Sequence, residues 1–181
     1  VFGIDMVVEK GTDNIYPVEC NPRFTGAQPT MSLMQMHYHH MPPFEFFHLL
    51  THLGVEAEFD FDAVNRAYKQ HVALSHLCIE TTGIETMRLP LSAGVYAYSH
   101  ESNELTFRRP QPFLWDIQDP SSEFLLIDSV PRLGYTIHQG VQRLMKFIFP
   151  RSIADESSTR ITAETAEVVT RLVDALQGVK K

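Results

Sequence analysis

Four side chains near the start of the chain have the types and spacing that metal and phosphate chemistry requires. They are Asp5, Glu19, Asn21 and Arg23. Carboxylate and amide oxygens suit Mg²⁺, a hard cation that commonly takes one or two carboxylates together with substrate phosphates. The planar guanidinium of an arginine can bind phosphate oxygens through two parallel hydrogen bonds. Together these groups would neutralise charge on a transferring phosphoryl group.

A β-hairpin is the element that must position these side chains. Residues 1–9 and 15–20 are two β-prone runs, and the residues between them have the composition of a turn. A three-residue turn at 11–13 would pair Lys10 with Asn14. The sequence therefore predicts two adjacent antiparallel strands in this register.

The predicted register places Asp5 directly opposite Glu19, with their Cβ atoms ~5 Å apart. Like charges that face each other destabilise a sheet, so this pairing makes physical sense mainly with a cation beside it. Alternation along the strand puts Asn21 and Arg23 on the same face as Glu19. The same alternation turns Cys20 to the opposite face, where we expect it to pack in the core.

Each of these residues also has a plainer interpretation. Asp5 and Glu19 could face solvent from an exposed hairpin. An Asn-Pro pair such as Asn21-Pro22 is a common turn signal. Arg23 could form a surface ion pair with Glu19, which would contribute little to stability. The combination of residue types, more than any single residue, favours a site that binds metal and phosphate.

Glu19 opens a string, ECNPR, that is similar to the E-x-N-P-R signature of ATP-grasp ligases, the superfamily of biotin carboxylase, carbamoyl-phosphate synthetase and carboxylate–amine ligases. In that superfamily an acidic or amide residue on the preceding strand occupies the place of Asp5. The resemblance implies that Asp5, Glu19 and Asn21 bind Mg²⁺, with Mn²⁺ as an alternative. It also implies that Asn21 and Arg23 contact ATP and that Arg23 is the catalytic residue.

The activity that this resemblance implies is ATP-dependent ligation. ATP would phosphorylate a small-molecule carboxylate, and an amine or similar nucleophile would attack the acyl-phosphate. The resemblance is specific over about residues 1–54. An ATP-grasp site also needs an earlier subdomain with a phosphate-covering loop and an adenine-side lysine, so we expect this chain to be a C-terminal portion that is inactive alone.

The expected partners are therefore the two substrates and the remaining N-terminal part of the same protein, with a homodimer as a further possibility. The alternative function is a non-catalytic ATP-grasp-related module that serves domain or dimer contacts. Upstream sequence with a lysine-bearing strand and a glycine-rich loop would favour the enzyme.

The pattern of elements predicts an α+β fold in three parts. Residues 1–71 would be the C-terminal lobe of an ATP-grasp domain, an antiparallel sheet with packed helices. Residues 72–150 would form a small antiparallel β-rich module, and 151–181 a linker followed by an amphipathic C-terminal helix.

Helices are predicted within 30–53, interrupted at Pro42-Pro43, and over 62–68 and 162–176. Residues 136–149 could be helix or strand, and their apolar spacing favours a helix. Strands are predicted at 74–81, 94–99, 104–108 and 123–130.

Composition limits the remaining possibilities. With 44% hydrophobic and 20% charged residues among 181, the chain has the composition of a folded protein. Its net charge of −7 and lack of a basic run argue against nucleic acid as a partner. The apolar stretches are much shorter than the roughly 20 residues that span a membrane. Two cysteines, Cys20 and Cys78, favour a reducing, cytoplasmic location.

Histidines cluster in one part of the sequence, at His37, His39 and His40, with His48 and His52 following. Residues 48 and 52 are four apart on a predicted helix, a spacing that metal sites use. No acidic or cysteine residue at ligand spacing completes a zinc set, so we interpret this stretch as structural or exposed.

Overall fold

The computed structural model describes residues 3–56, 58–81, 85–86, 91–128, 136–137, 142–155 and 159–177. Over these residues the protein combines antiparallel sheets with four α-helices, which confirms the α+β class. The chain divides into two compact units, Val1–Val72 and Ala73–Lys181. Residues 151–181, which we separated as linker and helix, therefore belong to the second unit. No helix in the described ranges is long and apolar enough to cross a membrane.

The first unit contains one hairpin and three helices. Its elements are β1 (Gly3–Val8), β2 (Ile15–Asn21), α1 (Gln28–His37), α2 (Phe44–His52) and α3 (Phe61–Tyr68). The two strands pair antiparallel, as predicted. The helix pair interrupted by prolines and the short third helix are also confirmed.

Local signals explain where these helices begin and end. Pro43 has an extended backbone with φ −66° and ψ 153°, and α2 starts directly after it. Gly54 follows α2 with a φ of 68°, a conformation that glycine adopts without a steric penalty. At the start of α3, the carboxylate of Asp60 accepts a hydrogen bond from Ala63 N at 2.8 Å.

Gln35 joins the three helices of the first unit through its buried side-chain amide. Its Nε2 donates to the hydroxyl of Tyr68 on α3 at 2.5 Å, and its Oε1 accepts from Phe44 N at the start of α2 at 3.2 Å. Gln35 is fully buried on α1. Both ends of a buried amide are thus satisfied, which fixes the helices in one arrangement.

The second unit is built on a five-stranded antiparallel sheet. Its elements are β3 (Ser75–Thr81), β4 (Glu85–Thr86), β5 (Gly94–Ser99), β6 (Glu104–Arg109), a 3₁₀ helix (Leu114–Asp116), β7 (Glu123–Asp128), β8 (Thr136–Ile137), β9 (Gln142–Phe149) and α4 (Ala163–Gln177). The strand order is β3-β9-β7-β5-β6, and β4 pairs separately with β8. The strands predicted from the sequence are confirmed, although 129–130 lie outside the described residues.

The helix favoured over 136–149 is wrong. Thr136–Ile137 and Gln142–Phe149 are strands, and 138–141 lie outside the described residues. The reason is that β9 pairs with β3 along one edge and with β7 along the other, in the interior of the sheet. Residues 145–149 are all fully buried. Apart from Lys146 these residues are apolar and lie on both faces of the strand, a pattern that periodicity cannot distinguish from a helix.

The core of the second unit lies between the sheet and α4. Val168 and Leu172 of α4 join a buried cluster with Phe124, Phe147 and Phe149 of the sheet. Helix α4 begins where Thr162 Oγ1 accepts a hydrogen bond from Thr165 N at 3.2 Å, which caps the helix. The predicted amphipathic helix is thus an integral part of this unit.

His100 connects the β5–β6 turn to α4 through two glutamates. Its Nδ1 lies 2.8 Å from Glu167 Oε2 and its Nε2 lies 3.3 Å from Glu164 Oε1. The hydrogen bond to Glu167 and the attraction of Glu164 raise the pKa of His100 above its ordinary value. The stabilisation is therefore fully present below the unfolded-state pKa of about 6.5 and is lost as pH rises through the higher folded-state value.

We expect thermal unfolding to show this dependence. The difference in melting temperature between the wild type and His100→Gln should shrink as pH is raised from about 6 to about 9. His71→Gln changes an exposed histidine and is the control. A difference that does not vary with pH would show that His100 acts through packing alone.

Candidate functional site

The turn of the hairpin differs from the prediction. Glu9, and not Lys10, pairs with Asn14 across the turn, and Glu9 N donates to Asn14 O at 2.9 Å. The loop therefore has four residues. Gly11 and Asp13 have φ values of 91° and 57°, in the left-handed region that glycine and aspartate tolerate best.

The carboxylate of Glu9 explains why the turn closes one residue earlier. It accepts hydrogen bonds from the hydroxyl of Thr12 at 2.5 Å and from Asn14 Nδ2 at 3.0 Å. These bonds, with Thr12 the larger contributor, lower the pKa of Glu9. An ionised Glu9 thus organises the loop, which the residue types alone did not indicate.

A β-bulge restores the pairing of the two carboxylates. Met6 pairs with Pro17, but the next residue along β1, Asp5, pairs with Glu19. Val18 is therefore an extra residue on β2. Proline within a strand is found mainly at such irregularities, because it cannot donate a hydrogen bond to the ladder. Asp5 thus lies opposite Glu19, as predicted, although the turn that leads there is different.

Asn21 shares the face of Asp5. Its Nδ2 donates to Asp5 Oδ2 at 3.2 Å. Because directly opposed residues of an antiparallel pair point to the same side, the side chain of Glu19 belongs to this face as well. Two carboxylates and one amide therefore converge, as the sequence predicts. If the side-chain amide of Asn21 rotated so that its oxygen and nitrogen exchanged places, Oδ1 would face the two carboxylates. Oδ1 is the atom of an amide that binds cations.

Arg23 follows directly after these groups and keeps most of its donors free. It is exposed, and its Nη1 donates to Phe24 O at 3.3 Å. The surface ion pair with Glu19 that we considered does not form, and no acidic side chain in the described residues pairs with the guanidinium. The remaining donors of Arg23 can bind an anion.

A cavity of about 990 Å³ lies beside this face, within the first unit. Asp5 and Arg23 form part of its wall, whereas Glu19 and Asn21 do not. Its apolar surface includes the rings of Phe44 and Phe47 of α2. The volume is in the range of pockets that bind small molecules.

Gly3 lets the hairpin approach the segment before α1. A Cβ atom at Gly3 would lie far inside van der Waals contact with Thr25 Cγ2. Both residues form part of the cavity wall. A larger residue at position 3 would therefore displace Thr25 and change the cavity.

Several residues of the cavity wall were not identified from the sequence. Gln28 and Phe47 belong to it, as does His48, which we had interpreted as structural or exposed. The phenylalanine-rich sequence of α2 was the available signal. His48 Nε2 lies 3.2 Å from His52 Nε2, and partial desolvation together with His52 lowers the pKa of His48. No group of three or more His, Cys, Asp or Glu side chains in the described ranges could hold a metal ion.

Cys20 does not pack in a core, contrary to our expectation, but is exposed. The reason is that every residue of the hairpin except its two end positions, Gly3 and Asn21, is exposed, so neither face of it is covered. Seven large apolar side chains of the hairpin are 44–65% exposed. They are Ile4, Met6, Val7, Val8, Ile15, Tyr16 and Val18.

The site thus combines a face of two carboxylates and an amide, an arginine with free donors, and a partly apolar cavity that Asp5 and Arg23 share with that face. Comparison with known proteins finds no family model, no curated protein and no solved structure that matches this chain. The functional interpretation therefore depends on the geometry of the site.

Proposed function

We propose that this chain carries the carboxylate and amide half of the Mg²⁺-ATP site of an ATP-dependent carboxylate ligase. In this proposal residues 1–71 are the C-terminal lobe of an ATP-grasp domain. The nucleotide-covering loop and the adenine pocket are supplied by other sequence of the same protein. The chain alone binds Mg²⁺-ATP weakly or not at all, because most of the binding area is contributed elsewhere.

The observation that carries this proposal is the pairing of Asp5 with Glu19 through the bulge at Val18. A regular ladder continued from the turn would place Val18 opposite Asp5. Bulges redirect side chains and are frequent beside functional sites. Opposed like charges are unfavourable without a cation, so a bulge that brings them together is best explained by metal binding.

The donor set fits Mg²⁺. Asp5 and Glu19 supply hard carboxylate oxygens and Asn21 can supply its amide oxygen, and all are accessible. Mg²⁺ is usually held by one or two carboxylates together with substrate phosphates and water, not by a closed protein cage. When bound, the ion would neutralise phosphate charge at this face.

The reaction would proceed in two balanced steps. A carboxylate oxygen of the substrate attacks the γ-phosphorus of ATP, the bond to the β–γ bridging oxygen breaks, and ADP leaves. An amine then attacks the acyl carbon, inorganic phosphate leaves, and the amine loses a proton to water. Arg23 would hold the transferring phosphate and then the acyl-phosphate, where its planar fork matches the phosphate oxygens.

The exposed hairpin supports the involvement of further sequence. An isolated two-stranded hairpin is marginally stable in water. Apolar side chains on both faces of a hairpin are normally covered by other parts of a protein. In the described part of the chain, β1 and β2 pair only with each other. A lobe that lies over this hairpin would cover these side chains and close the nucleotide site.

Substitution of Arg23 and Asn21 tests the proposal in the full-length protein. Asn21→Ala should raise the Mg²⁺ concentration needed for half-maximal ATP consumption by roughly tenfold or more. Arg23→Lys should retain part of the activity, because lysine keeps the charge but loses the bidentate geometry. Arg66→Lys, at an exposed position of α3, is the matched control and should have no effect.

Steady-state ATP consumption across a Mg²⁺ titration is the measurement. Absence of any Mg²⁺-dependent ATP consumption in the full-length protein would refute the ligase. It would favour the alternative, a non-catalytic module that serves domain or dimer contacts.

A further inference from the structure

The cavity beside the carboxylate face has a chemical character that limits what it can bind. Its wall lies entirely in the first unit, so its shape depends on that unit alone. The hairpin and the loop after it contribute Asp5 and Arg23, whereas the helices contribute Met31, Phe44 and Phe47. A ligand that fills it must therefore combine a charged or polar group with an apolar body.

Gln28 in the cavity wall has a polar atom without a partner. Its Nε2 is buried and forms no hydrogen bond with the described residues. Leaving a buried donor unsatisfied costs about 1–3 kcal/mol, so natural structures rarely keep one. Because this atom is buried, a ligand in the cavity can reach it only after the Gln28 side chain turns toward the cavity, where a hydrogen-bond acceptor would then satisfy it.

Arg23 is the second residue of the cavity wall whose side chain could bind a ligand. It has free donors beside the cavity, and the face of Asp5 and Glu19 is adjacent. A carboxylate at Arg23 would gain a charge-assisted hydrogen bond. Placed there, it would also be next to the proposed position of the phosphates.

We propose that this cavity binds the acyl substrate and that the substrate is a carboxylic acid with an aromatic or branched apolar body. Its carboxylate binds Arg23, an acceptor atom of the ligand binds the amide of Gln28 once that side chain has turned toward the cavity, and its apolar body packs against Phe44 and Phe47. This assignment rests on the proposed ligase function, but the binding itself requires neither ATP nor Mg²⁺.

The test is calorimetric binding of three probes to the chain without nucleotide: N-acetylphenylalanine, acetate and succinate. N-acetylphenylalanine, which has a carboxylate, an amide acceptor and an aromatic ring, should bind at least about tenfold tighter than the other two. Equal or tighter binding of succinate would overturn the proposed substrate class.

Two variants locate the binding. Ala27→Leu adds bulk to the wall and should weaken N-acetylphenylalanine binding about tenfold, whereas Ala67→Leu, on α3 and outside the wall, should not change it. Gln28→Leu should weaken binding about fivefold, and Gln70→Leu should not. Unchanged binding in both Ala27→Leu and Gln28→Leu would overturn the assignment of the cavity.

Thermal unfolding separates ligand binding from a structural role of Gln28. Removing an unsatisfied buried donor should leave the stability of the ligand-free protein unchanged or raise it, so weaker binding together with equal or higher stability supports the proposal. A clear loss of stability would show that Gln28 is structural.

Turnover of the full-length protein distinguishes this inference from the proposed function. Mg²⁺-dependent ATP consumption that only hydrophilic acids stimulate would overturn the inference and leave the ligase in place. Binding of N-acetylphenylalanine in the cavity without any ATP consumption would support the ligand class and overturn the ligase.

Discussion

Glu19→Gln should reduce ATP turnover of the full-length protein on the order of 100-fold or more, without lowering its stability. The proposed role of Glu19 is to balance the charge of Mg²⁺ while phosphoryl transfer proceeds, and a neutral amide cannot do so. In the unliganded protein Glu19 lies opposite Asp5, so removing one of two like charges relieves repulsion. The melting temperature without nucleotide should therefore stay constant or rise.

Steady-state ATP consumption over a Mg²⁺ titration, paired with thermal unfolding, measures both effects. Glu58→Gln changes an exposed glutamate of the same unit that is not in the cavity wall, and it is the control for the loss of one charge. Wild-type turnover and wild-type Mg²⁺ dependence in Glu19→Gln would remove the metal assignment. A large fall in stability would show that Glu19 is structural.

The largest effect on stability is expected in the second unit, at Glu123. This glutamate is buried and forms two hydrogen bonds with the guanidinium of Arg109, at 3.0 and 3.2 Å. Its Oε2 also accepts from the backbone N–H groups of Gln118 and Asp119, at 2.6 and 3.3 Å. Glu123→Ala would leave a mostly buried arginine and two backbone donors without this partner, and should lower the free energy of unfolding by about 3 kcal/mol.

Chemical denaturation of the variant and the wild type provides the measurement. Glu101→Ala, in the exposed turn between β5 and β6, should change the unfolding free energy by less than about 0.5 kcal/mol. Replacing both partners, in Arg109→Met with Glu123→Leu, should be less destabilising than Glu123→Ala, because neither charge is then left alone. A loss under about 1 kcal/mol in Glu123→Ala would show that water replaces the carboxylate.

The structure of the hairpin was predicted from the sequence only in part. The strands and the pairing of Asp5 with Glu19 were predicted, because β-prone residues flank a turn and the carboxylates lie in matching positions. The turn and the bulge that produce this pairing were not predicted, because their two changes of register cancel each other. The turn closes one residue early through hydrogen bonds of Glu9, and Val18 bulges from β2. Neither Glu9 nor Val18 has a residue type that signals this behaviour, although Pro17 within β2 is typical of an irregular strand.

Helix boundaries were more predictable than strand β9. Pro43, Asp60 and Thr162 act locally, so their effect on the neighbouring backbone can be read from their chemistry. The strand β9 depends on neighbours that are distant in sequence, β3 and β7. Residues 145–149 of this strand are buried, and their apolar side chains were misread as part of a helical face.

The cavity could not have been predicted, since it depends on where α1 and α2 lie relative to the first residues of the hairpin. Phe44 and Phe47 gave a sequence signal for burial, but not for a space beside them. The unsatisfied Nε2 of Gln28 becomes visible only when its surroundings are known. Glutamine at the start of a helix is unremarkable as a residue type.

The bulge at Val18 also makes the hairpin tolerant of engineering. The turn from Glu9 to Asn14 determines the pairing near the loop, whereas the bulge determines the pairing of the carboxylates. The four loop residues between Glu9 and Asn14, 10–13, are all exposed. Exposed loop tips accept insertions best. A fluorophore-bearing peptide or an affinity epitope placed in this loop would therefore report on the hairpin without changing the register at Asp5.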